Sequence, residues 1–157
     1  MILFLDFDGV LHPVRQRATG DHLFCRLPLL EAWLRKRPGV DVVISSSWRE
    51  AHPLDELVSY FAGDLKGRVL GATPTITSDD WAQYDGEQPP LRFRRAVEIR
   101  RWRHQSPTPW RPWAALDDQP WLFPPFCEFL VTCDGDIGLT AINLDEVDGV
   151  LARQQAQ

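Results

Sequence analysis

Met1-Ile2-Leu3-Phe4-Leu5-Asp6-Phe7-Asp8-Gly9-Val10 opens the chain, and this stretch decides the fold. An apolar run of strand length ends here in two carboxylates. Charge at the tip of a hydrophobic strand is costly unless it is paired or bound to a cation. Gly9 then lets the chain turn sharply, because glycine has little steric limit on φ. The pattern is that expected of a metal-assisted aspartate nucleophile. It recurs twice. Asp41-Val42-Val43-Ile44 runs into Ser45-Ser46-Ser47, and Trp113-Ala114-Ala115-Leu116 runs into Asp117-Asp118. Ligands of open α/β sheets bind beyond the carboxyl ends of the strands. Parallel pairing of these three strands would bring Asp6, Asp8, Ser46 and Asp117-Asp118 to one place.

Working outward, the periodicity predicts helices between the strands. Pro28 to Arg37 carries Leu29, Leu30, Trp33 and Leu34 at helical spacing, and Pro38-Gly39 ends it. The second strand is Val40 to Ile44. A second helix is predicted over Pro53–Phe61, a short strand over Arg68–Leu70, and a third helix over Leu91–His104. Trp113–Leu116 and Phe129–Thr132 read as further strands. A last helix is predicted over Leu144–Ala152, with Asn143 as its N-cap. Thr73–Pro90 is a loop rich in Thr, Ser, Asp, Gly and Pro, long enough to suggest a functional role. Alternating strands and helices imply an α/β sandwich with a mainly parallel sheet.

The chain has 157 residues, and they suit a single domain, 1–157, without repeats or a linker. No stretch is apolar enough to span a bilayer and no signal segment is visible, so a soluble cytoplasmic protein is expected. The net charge is −5, which gives no general field for recruiting nucleic acid. The basic residues are concentrated instead: Arg92, Arg94, Arg95, Arg100, Arg101 and Arg103 crowd one segment, and Lys36 and Lys66 are the only lysines. Three cysteines, Cys25, Cys127 and Cys133, with no CxxC spacing, read as buried reduced thiols rather than a zinc site.

Asp6-Phe7-Asp8-Gly9-Val10, a serine after the second strand, a basic residue early in a later helix, and Asp117-Asp118 after a further strand resemble the four motifs of haloacid dehalogenase-like (HAD) hydrolases, in the correct order. Ile44-Ser45-Ser46-Ser47-Trp48-Arg49, Gly71-Ala72-Thr73-Pro74, Arg95-Ala96-Val97-Glu98-Ile99 and Gly138-Leu139-Thr140 further resemble small bacterial HAD domains, which also occur inside RNA-repair proteins. The resemblance implies a Rossmann-like three-layer HAD fold. It also implies a Mg²⁺-dependent phosphatase acting through an aspartyl-phosphate. The intervals between motifs leave no room for a large cap. In this superfamily an open site goes with large substrates, such as nucleic-acid ends or phosphoproteins. A small substrate covered by the 73–90 loop or by a partner subunit is the alternative. The oligomeric state is not legible.

Each candidate residue has an ordinary reading beside the chemical one. Asp6 is expected to be the nucleophile rather than a surface turn aspartate, because its strand context is right. Asp8 is expected to protonate the leaving oxygen and then activate water, or merely to close an Asx turn. The resemblance adds a metal contact through the Asp8 backbone carbonyl. Asp117 and Asp118 complete an oxygen-rich site suited to Mg²⁺, a hard cation; a solvated loop would explain one of them but not both. Ser46 matches the hydroxyl that binds a phosphoryl oxygen, with Ser45 and Ser47 as rivals that also contact substrate. Arg95 matches the basic third motif, where the family usually has Lys, with Lys66 a rival by residue type; the other arginines read as a solvated helix face. Arg49 is expected near the phosphate or leaving group, and His12 is read as structural. Three other functions fit the same residues: a polynucleotide end phosphatase, a non-catalytic binding or regulatory domain, and a receiver-like phospho-acceptor.

Overall fold

Alternation along the opening strand sends Leu3 and Leu5 into one apolar cluster, and Ile2 and Phe4 into another. Both faces of the sheet are therefore buried, as a parallel sheet covered by helices requires. The computed structural model describes residues 1–15, 20–77 and 93–156. Among them are five strands: β1 (Ile2–Leu5), β2 (Asp41–Ile44), β3 (Val69–Ala72), β4 (Trp113–Asp117) and β5 (Leu130–Thr132). Four α-helices accompany them: α1 (Leu27–Arg35), α2 (Leu54–Ser59), α3 (Arg94–Gln105) and α4 (Ala141–Gln155). The strand order is β3-β2-β1-β4-β5, and every pair is parallel. This is the α/β sandwich expected.

Leu30 and Leu34 of α1, Leu57 of α2, and Leu144, Val147 and Leu151 of α4 fill the first cluster. Ile99 of α3 fills the second, with Ala96 and Trp102 packed against it. Phe4 lies edge-on to Trp102 and Trp113, with ring centroids 5.5 and 5.6 Å away. Burying each such side chain contributes roughly 1.5–3 kcal/mol.

The register positions the site. Leu5 pairs with both Ile44 and Leu116, and Ile44 pairs with Ala72. The next row across the sheet is therefore Thr73, Ser45, Asp6, Asp117 and Thr132. Backbone bonds continue into it: Asp6 N–H donates to Leu116 O, Ser45 N–H to Leu5 O, and Thr73 N–H to Ile44 O. By alternation, Ser45, Asp6 and Asp117 share the face of Val43, Phe4 and Ala115, which is the face that α3 covers.

Several local expectations need correction. Helix α4 begins three residues before the expected Leu144. Its N-cap is Thr140, and Asn143 is the N3 partner in a reciprocal capping box. Of the three thiols, only Cys133 is buried; Cys25 and Cys127 are partly exposed, and all three are free. Lys66 precedes β3, at the opposite end of the sheet from Asp6, which removes it as a rival to Arg95. Leu91 and Arg92 of the expected third helix, and most of the Thr73–Pro90 loop, lie outside the described residues.

Candidate active site

Asp6 leaves β1 with its carboxylate 2% exposed, and Asp117 ends β4 fully buried. Carboxylate oxygens of Asp6, Asp117 and Asp118 lie within 4.8 Å of one another. Helix α3 brings Arg95 onto this group: its Nη1 is 3.2 Å from Asp117 Oδ2 and 3.6 Å from Asp6 Oδ1. Phe7 N–H donates to Asp6 Oδ1 at 2.8 Å, and Gln119 N–H to Asp117 Oδ1 at 2.9 Å. One guanidinium thus faces three close carboxylates.

That balance shows in the ionisation. Burial pushes the Asp117 carboxyl up to about 7, with Asp6 and Asp118 adding to the effect against the pull of Arg95. Burial, then Asp6, pushes Asp118 up to about 6. Burial works against the charge on Arg95, but Asp6 and Asp117 outweigh it and hold its pKa above the usual value. Asp117 Oδ2, Asp118 Oδ1 and Arg95 Nη1 are buried without hydrogen bonds. Buried carboxylates with surplus charge and unused oxygens fit a hard cation. The triad can hold a metal ion.

Two glycines make room for Asp118. A Cβ on Gly9 would lie 2.3 Å from Asp118 Oδ2, and one on Gly135 would lie 2.6 Å from the same atom. Gly9 also has φ +70°, so it is required both for its turn and for this approach. Gly135 has no signal in the sequence beyond an ordinary Asp-Gly-Asp turn.

Asp8 stands apart from the triad. Its side chain is 45% exposed. Oδ1 meets His12 Nε2 at 2.9 Å, and Oδ2 accepts from Trp48 Nε1–H at 2.9 Å. The His12 hydrogen bond, aided by that of Trp48 against partial burial, holds the Asp8 carboxyl below its usual range.

The serines divide. Ser45 and Ser46 are buried and Ser47 is exposed. Ser45 continues the β2 ladder beside Asp6. Ser46 caps the following turn, its Oγ accepting from Trp48 N–H at 3.4 Å, which leaves its own proton free to donate. Arg49, expected at the substrate, lines a cleft beside Arg95, with its side chain 5% exposed and its nitrogens engaged. Nε donates to Thr73 O, Nη1 donates to Ser45 O and Ser46 O, and Nη2 is 2.5 Å from Glu98 Oε2. It braces the serine loop against α3. Glu98, also buried, accepts from Arg94 and from Ile76 N–H, and sequence reasoning missed it. Arg94 further pairs with Glu50, away from the triad, and Arg100 and Arg101 are exposed. Arg103 lies over the Trp113 ring.

A polar cleft of about 250 Å³ adjoins Arg95, lined also by Ser47, Arg94 and Gln119. A roomier apolar groove of about 560 Å³ lies between α3 and residues 124–129, and the acidic triad lines neither cavity. The chemistry, not the volume, marks the site.

A five-stranded parallel sheet with Asp6, Asp117, Asp118 and a basic side chain at its carboxyl end defines a HAD-type α/β domain. Over residues 2–144 the chain matches the HAD domain in Swiss Army Knife RNA repair proteins, and it belongs to that family. Comparison with curated proteins and with solved structures gave no significant match. Among the described residues, no helix is long and apolar enough to cross a membrane.

Proposed function

We propose that this domain is a Mg²⁺-dependent phosphatase that works through an aspartyl-phosphate on Asp6. The convergence of Asp6, Asp117 and Asp118 under Arg95 is the observation that carries the reading. The Asp6 carboxylate attacks phosphorus while the bond to the leaving oxygen breaks; Asp8, ionised in the free domain, takes up the proton of a monoanionic phosphate ester as it binds and passes it to that oxygen. Water then attacks the same phosphorus. Asp8 takes its proton, the bond to Asp6 breaks, and inorganic phosphate leaves. Ser46 donates its hydroxyl proton to a phosphoryl oxygen, with Ser45 the rival in the Asp6 row. Arg95 offsets the charge of nucleophile and phosphoryl group from a water-poor position. Asp6, Asp117, Asp118 and the Asp8 carbonyl would hold Mg²⁺, which supplies charge neutralisation so that an anionic nucleophile can approach an anionic phosphate.

Arginine at the third motif keeps its charge at any working pH and presents a planar fork to phosphate. Membership in a family of RNA-repair domains favours a phosphorylated polynucleotide end as the substrate. The test is hydrolysis of 4-nitrophenyl phosphate with and without Mg²⁺, beside Asp6→Asn. Metal-dependent turnover, reduced about 10⁴-fold or more in the variant, is expected. Turnover that survives Asp6→Asn would exclude the mechanism. Phosphorylated RNA ends, nucleotides and phosphopeptides are then compared by kcat/KM, and a polynucleotide end is expected to lead.

A further inference from the structure

We propose that His12 and Trp48 are positioning residues that lock the Asp8 carboxylate in one orientation; this rests on the phosphatase reading of the same site. Each oxygen of Asp8 has its own nitrogen partner, 2.9 Å away, from a different part of the chain. Rotating the carboxylate would break at least one of these bonds. The proton on His12 can be located from its other partner. His12 Nδ1 accepts from Phe24 N–H at 3.3 Å. A backbone amide can only donate, so Nδ1 is bare and the neutral ring carries its proton on Nε2, aimed at Asp8.

The donors are themselves held. His12 is 3% exposed. Phe24 has φ +62°, a conformation rare for a non-glycine residue and sustained only by its surroundings. Its ring stacks on Tyr60, with centroids 4.4 Å apart, and meets His12, Trp48 and Phe7 edge-on. Trp48 is covered by His52 at 5.2 Å. An aromatic cluster thus sets two N–H groups rigidly, and they set Asp8. By contrast, the Asp118 carboxylate is placed by the space that two glycines leave.

The geometry predicts a selective defect. A misaligned carboxylate, relaying the ester's proton to the leaving oxygen, matters most when that oxygen is basic. Trp48→Phe removes one N–H and keeps a ring; His12→Leu removes both polar contacts; His12→Gln keeps a donor and an acceptor. On phenyl phosphate, a poor leaving group, kcat is expected to fall about 10²-fold in Trp48→Phe and His12→Leu. On 4-nitrophenyl phosphate the loss is expected to be about tenfold or less, with KM little changed and His12→Gln recovering most of the rate. Equal losses on both esters, or a change confined to KM, would overturn the proposal. Long-range ¹⁵N spectra of the wild-type imidazoles at pH 7.5 test the arrangement without turnover. An Nε2–H signature for His12, assigned by its absence in His12→Gln, supports it, and an Nδ1–H signature overturns it. A wild type inert to both esters sinks the phosphatase reading, and the imidazole spectrum then decides the positioning arrangement alone.

Discussion

The two ends of the sheet are finished differently. At the amino end, polar groups are matched. Arg111 pairs with Asp41, the Met1 amine donates to Gly39 O at 2.8 Å, and Arg68 donates to the carbonyls of Leu34, Arg37 and Val40. At the carboxyl end, buried Thr73 Oγ1 and Asp118 Oδ1 have no hydrogen bond, Asp117 Oδ2 and Arg95 Nη1 meet only as an ion pair, and two carboxyls are pushed upward. Leaving a buried polar group unmatched costs on the order of 1–3 kcal/mol. An end that bears this cost repeatedly is built to receive something. The amino end is structure; the carboxyl end holds the candidate site.

Substitutions at each end sharpen the contrast. Gly135→Ala places a methyl group against Asp118 Oδ2, the far end of a side chain that can move aside. Mg²⁺ affinity by calorimetry is expected to fall about 10–100-fold, with little change in Tm. Arg68→Ala should do the reverse. It strips three backbone carbonyls of a charged donor, so a loss of about 2–3 kcal/mol is expected in urea titration, with kcat unchanged. If Arg68→Ala lost activity before stability, the division between the ends would fail.

The smallest effect concerns pH. Asp118 has a folded pKa of about 6, above the ordinary carboxylate value of 3.8. The folded state therefore binds more protons than the unfolded state between these values, and the stability of the metal-free protein falls as pH rises through that window. Asp117, raised to about 7, extends the same loss upward. Asp8 acts oppositely: its lowered pKa adds stability above 3.8 that is lost in stronger acid. Asp118→Asn should raise the Tm of the metal-free protein at pH 8 by a few degrees at most and leave it unchanged at pH 3.5. Saturating Mg²⁺ should raise the wild-type Tm and leave the variant behind.

Legibility followed the range of the interactions. The sheet and the convergence of Asp6, Asp117 and Asp118 were readable because apolar runs ending in carboxylates carry both strand and site in one local pattern. Arg95 was readable through the order of motifs, and the structure places its guanidinium on two carboxylates. The Thr140 cap was available as Thr-x-x-Asn, but Asn143 next to an acidic turn competed for the same role. What stayed hidden depends on distant contacts. Nothing near Gly135 announces that Asp118 needs its space. Arg49 drew notice because it follows the serines, but its bonds to carbonyls from two strand ends and to Glu98 could not be read from its neighbours in sequence. The Trp48 contact joins residues far apart in sequence, and the His12 tautomer is read only through the amide of Phe24.

The most direct test is to quench the reaction of the wild type and Asp8→Asn with a phosphate ester in acid and map the phosphoryl group by mass spectrometry. A Mg²⁺-dependent label on Asp6, short-lived in the wild type and accumulating in Asp8→Asn, is predicted. Turnover with no label on Asp6, or an Asp6 phosphate that persists in the wild type as in a phospho-acceptor domain, would contradict a phosphatase at the carboxyl end of this sheet.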